Sequence, residues 1–121
     1  MRENSATVPT DLIRATEPPL PYGAGWDGEW VPDPPFQPYR IVHGPKRSIG
    51  EAVHHFDGYT TGLAEVETSA CQNFDGTLAS DDPPQIHVHV YRDSGINPSQ
   101  AREVAALLLE AADEVDGWVG K

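Results

Sequence analysis

Histidine is the residue of this chain whose spacing could do chemistry. His87 and His89 stand two apart in the stretch 85–91, where Ile86, Val88 and Val90 alternate with His87, His89 and Tyr91. That alternation has the period of a β-strand, so both imidazoles project from one face. Two imidazoles so placed can share a divalent ion, and a strand-borne HxH pair is a recurrent zinc or iron arrangement. Three or four ligands are needed, so a third would come from His54, His55, Glu65, Glu67 or Cys71 on a neighbouring strand. The expectation is no cofactor or, at His87 and His89, zinc. The competing reading makes the pair the solvated side of an amphipathic strand.

Catalytic constellations are not legible. Cys71 is the one cysteine, which permits no internal disulfide and no multi-cysteine zinc cluster. As a nucleophile it would need a base and an oxyanion hole, and no motif supplies either. Gly23, Gly25 and Gly28 lie among prolines and aromatics rather than between a strand and a helix, so they read as turns. Glu65 and Glu67 could pair for acid–base work but fit a wet strand face equally well. No enzyme is expected, and no catalytic residue is assigned.

The elements that must position these groups follow from periodicity. Residues 39–43 and 52–56 are β-prone and end at Gly44-Pro45 and Asp57-Gly58. A longer strand is expected over 63–72, with Ala64, Val66, Thr68 and Ala70 on one face and Glu65, Glu67 and Ser69 on the other. It should pair with 85–91 as an antiparallel hairpin, one face packed and one wet. A helix is predicted over 97–116. Asn97 is its cap, Pro98 its first residue, Gln100 completes a capping box and Gly117 is the terminator. Ala101, Val104, Ala105, Leu108, Ala111, Ala112 and Val115 form its apolar stripe.

Residues 1–38 hold eight of the twelve prolines together with Tyr22, Trp26, Trp30 and Phe36. Proline excludes a long helix or central strand, leaving polyproline-like and turn conformations, with one short helical turn expected over 8–16. Aromatic rings favour burial, so the arm is expected to wrap the domain or a partner. Trp26, Trp30 and Phe36 are thus candidate partner contacts. So are Leu107 and Leu109, which flank the helix stripe on either side where one flat sheet does not cover both. Glu110, Asp113, Glu114 and Asp116 crowd the helix end that prefers cations, either as a binding knob or by chance in an acidic chain.

Nineteen acidic against eight basic residues give a net charge of −11 over 121 residues. Such a field disfavours phosphate backbones and anionic membranes. It suits solubility, cationic partners, or an acidic mimic of nucleic acid that occupies a basic groove. No apolar run approaches the roughly 20 residues that span a bilayer, and residues 1–5 lack a signal-like apolar core, so a cytoplasmic protein is expected.

The run Asn97-Pro98-Ser99-Gln100-Ala101-Arg102-Glu103-Val104-Ala105, continuing through Leu108-Leu109-Glu110-Ala111-Ala112-Asp113-Glu114, resembles the carboxyl end of small proteins of actinobacteria and their phages. In that domain family of unknown function a strand leads into a "TPxQAR-LA--LL-AAD" helix. Gln72 with Asp75-Gly76 before the strand is similar to its hairpin. The resemblance covers residues 62–116 and implies an actinobacterial or mycobacteriophage origin and an α+β fold, but no activity. Some members carry an amino-terminal Cys/His cluster suited to zinc; here a proline–aromatic arm stands instead, so that site is not carried over.

The expected architecture is a two-layer α+β domain over 39–121, an antiparallel sheet of three or four strands under one helix, wrapped by the arm of residues 1–38. The expected function is that of a non-enzymatic interaction protein with a protein partner or a second copy of itself. A metal-binding domain and an acidic nucleic-acid mimic are the alternatives.

Overall fold

A computed structural model of the chain describes residues 17–26 and 28–119. The helical turn expected over 8–16 lies outside them. The elements are β1 (Val31–Asp33), β2 (Phe36–His43), β3 (Arg47–Ile49), β4 (Val53–His54), β5 (Thr60–Thr61), β6 (Ala64–Asn73), β7 (Gln85–Val90) and α1 (Pro98–Val119). The fold is α+β, a five-stranded antiparallel sheet with the carboxyl-terminal helix on one face and a separate β4–β5 ribbon. Short β1 and β3 bring the count above the three or four strands expected. The sheet also begins before residue 39, because the β1–β2 hairpin is built from the end of the proline-rich arm.

β6 is the central strand. On one side β2 pairs with its second half, Val42 opposite Ala70, and β3 with its first half, Ile49 opposite Ala64. On the other side β7 runs antiparallel to it, with Val88 opposite Val66 and His87 opposite Glu67. The alternation read from the sequence holds along β6, whose even-numbered residues from Ala64 to Gln72 are all buried, Gln72 beneath the arm, where its amide donates to Pro19 O. Thr68 and Gln72 belong to that buried row although both are polar.

Two apolar clusters hold the layers together. Ile49, Ala64, Val66, Val104 and Ala111 form one, against which Ile96, Leu107 and Leu108 pack. Val42, Ala70 and Trp118 form the other, joined by Ala24, Trp26, Leu78 and Val115. The capping box is present: the Asn97 N–H donates to Gln100 Oε1 at 2.9 Å and the Gln100 N–H to Asn97 Oδ1 at 2.8 Å. Gly117, however, is not the terminator. The helix runs on to Val119, because one more turn carries Trp118 into the second cluster and lets its Nε1–H donate to Tyr22 O at 3.0 Å.

Candidate functional site

Arg40 decides the fate of the aromatic arm. It is 2% exposed on β2, its guanidinium 4.5 Å from the ring centres of both Trp26 and Trp30. It donates to Gln72 Oε1 and to Pro18 O, each at 2.8 Å. Trp30 stands edge-on to Phe74 at 4.8 Å and donates to Glu17 Oε1 at 3.0 Å. The two indole centroids are only 5.7 Å apart, so the cation caps both rings from one side while two of its N–H groups are bonded. Trp26 and Trp30 are therefore spent on docking the arm to its own domain, and only Phe36 of the three proposed aromatic contacts is well exposed. The sequence held no signal for this, since an arginine on a strand reads as solvated.

The acidic helix end is likewise engaged with the sheet. Glu114 accepts from Thr68 Oγ1 at 2.9 Å and from Arg47 Nη1 at 3.2 Å, and Glu110 pairs with Arg47 Nε at 3.5 Å. Gly44 allows this, for a Cβ there would overlap Thr68 Oγ1 and the Glu114 carboxylate. Arg47 thus ties one flank of α1 to β3.

His87 and His89 lie on the sheet face opposite the helix. His87 Nε2 meets Ser69 Oγ at 3.1 Å, and His89 Nε2 stands 3.8 Å from Glu67 Oε2 while its ring stacks on Tyr91. His55 bonds Thr61 Oγ1 at 2.8 Å and meets Tyr91 edge-on. Glu65, buried beside them, accepts from the Gly62 N–H at 3.2 Å, and its Oε1 faces Lys46 Nζ at 3.7 Å. Burial first, then Glu65 and Glu67, pushes the Tyr91 phenol up, Lys46 opposing. Among the described residues no group of three His, Cys, Asp or Glu side chains converges as a metal site. Burial first, then Asp82, Asp81 and Asp33, pushes the Cys71 thiol up, which keeps it protonated and a poor nucleophile at neutral pH.

The feature left without an internal use is β7 itself. All six of its residues are exposed, so the hairpin's inner face is not packed as expected. Ile86, Val88 and Val90 share the face of the buried β6 row yet remain 36, 46 and 44% exposed. The reason is the placement of α1, held toward β3 by Arg47. Its other flank, with Ala101, Ala105 and Leu109, stands toward β7, and Leu109 is 70% exposed while Leu107 packs into the core. An apolar band therefore runs from the helix flank down to the sheet edge.

That edge is also open in its backbone. The Tyr91 N–H donates to Leu63 O at 2.8 Å, which fixes the phase of the ladder. Residues 87 and 89 then bond toward β6, and the N–H and C=O groups of Ile86, Val88 and Val90 point outward. No other described strand pairs with them. The opposite edge, β1, is guarded by three residues' length, Pro32, Asp33 and an irregular register. β7 has no proline, no lysine and no carboxylate.

Comparisons with protein-family models, with curated proteins and with solved structures find no match to this chain. Among the described residues no helix is long and apolar enough to cross a membrane.

Proposed function

We propose that this chain is a non-enzymatic interaction protein that binds a protein partner by adding a strand to the open edge of β7. The observation that carries the reading is the coincidence of outward ladder groups at Ile86, Val88 and Val90 with a half-exposed aliphatic row and the Leu109 flank. Main-chain pairing supplies affinity and the alternate side-chain positions supply selectivity. Of the contacts expected from the sequence, Phe36 and Leu109 remain exposed, Trp26, Trp30 and Leu107 are engaged within the chain, and the edge of β7 is added.

Val88→Pro tests it. Proline at 88 removes an outward N–H while the ladder to β6, made by residues 87 and 89, stays intact. The variant is expected to keep its circular dichroism and to lose at least tenfold in affinity for a protein captured by the wild type. Val88→Lys, a charge placed on the edge, is expected to do the same. A partner bound equally by wild type and both folded variants overturns the reading.

A further inference from the structure

We infer that the strand added to β7 is the β7 of a second copy of this chain, in one defined register. The inference rests on the strand-addition reading and names its partner. Three constraints fix the geometry. The outward groups belong to even-numbered residues, so an antiparallel pairing must match even with even. The aliphatic row must stay on the helix side of both sheets, which demands the same parity, because a slip of one residue would set Ile86 against a histidine. Pro84 lacks an amide, so the register that sets it opposite Val90 loses a ladder bond, and the register shifted the other way leaves only residues 88–90 of each β7 paired. One arrangement meets all three: Val88 opposite Val88 of the second copy, and Ile86 opposite its Val90.

This pairing is self-complementary, as a two-fold interface must be. It joins two five-stranded sheets into one of ten, with both helices on the same face. The aliphatic rows become continuous, flanked by Leu109 of each copy. On the opposite face His87 stands across from His89 of the second copy, and no carboxylate meets another across the new ladder. A five-residue ladder, 86–90 of each copy, is about 17 Å long, and with its side chains and helix flank hides on the order of 1,000 Å² in total, the lower limit for a specific interface. The dimer is accordingly one that concentration controls.

The test is register-specific cross-linking of the full chain in a Cys71→Ser background. In a hydrogen-bonded antiparallel pair the Cα atoms are about 5.5 Å apart, within the span of a disulfide. Val88→Cys is therefore expected to oxidise to a covalent dimer in high yield. Ile86→Cys and Val90→Cys are each expected to stay monomeric alone and to cross-link when mixed. Sedimentation velocity of the wild type should show a monomer–dimer equilibrium that Val88→Lys weakens at least tenfold. A wild type that is monomeric at every concentration, with no cross-link at residue 88, overturns the inference. If Val88→Pro still abolishes capture of another protein, strand addition survives and the occupant is that protein's strand. A wild-type dimer that neither Val88→Cys traps nor Val88→Lys weakens also overturns it, by placing self-association elsewhere.

Discussion

At the scale of single residues, two side chains carry more than their types announce. Arg40 is a buried cation whose stability rests on neighbours from three segments. Arg40→Leu leaves Pro18 O and the Gln72 amide oxygen unpartnered, each at a cost of about 1–3 kcal/mol, and strips the cation from two indole faces. A loss of about 3 kcal/mol is expected in urea unfolding. Arg40→Lys should recover only part of it, since an ammonium neither forks nor stacks as a guanidinium does. Asp75 gives the chain a pH-dependent turn. The Thr77 hydroxyl, then the Thr77 N–H and the Gln37 amide, hold its carboxyl below the ordinary 3.8. A depressed folded-state value contributes stability that is present above the unfolded value and lost as pH falls through the folded one. The melting temperature of wild type should exceed that of Asp75→Asn at pH 6, and the gap should close as pH falls through the lowered value.

At the scale of elements, the carboxyl-terminal helix shows a local signal losing to packing. Gly117 sits where a left-handed cap belongs, yet it is helical and a Cβ there meets nothing within 4 Å. Gly117→Ala should stabilise the protein by about 0.5 kcal/mol, because glycine's backbone freedom is removed at no steric cost. Trp118→Ala should destabilise by about 3–5 kcal/mol, as large-to-small changes in a core do, and fray the last turn. Thermal melts of the two variants check both signs; destabilisation by Gly117→Ala would place the helix end at Asp116 as the sequence alone suggests. β7 shows the converse. Its strand and the β6 ladder are as its alternation dictates, but how far the helix covers its aliphatic face depends on contacts such as those of Arg47 on β3, across β6 from β7 and far from it in sequence.

For the whole molecule, charge opposes the proposed assembly. Each copy carries −11, so two copies repel at long range, and that repulsion is screened as the Debye length shrinks from about 10 Å at 0.1 M salt to about 3 Å at 1 M. Self-association through an uncharged, aliphatic edge should therefore strengthen as salt rises. An acidic mimic of nucleic acid bound in a basic groove has the opposite sign, weakening steeply with salt. Sedimentation at 0.05 and 0.5 M salt reads the sign directly, and weakening of the dimer by salt would count against an apolar edge contact.

The sequence by itself determined the central periodic elements and the start of the helix. Val66 and its even-numbered neighbours on β6, the β7 alternation, and the Asn97–Gln100 box each encode one element locally, and each stands as read. It also determined that His87 and His89 share a face. Tertiary structure decided everything that depends on what covers a face. Arg40, Thr68 and Gln72 are polar by type and buried by position, because an arm and a helix meet over them. Trp26 and Trp30 became part of the domain's own packing, and Leu107 part of its core, while Leu109 and the edge of β7 were left open. Local pattern specifies which side chains lie on one side of an element. Only the assembled layers specify whether that side meets protein or water, since burial depends on contacts between residues far apart in the chain.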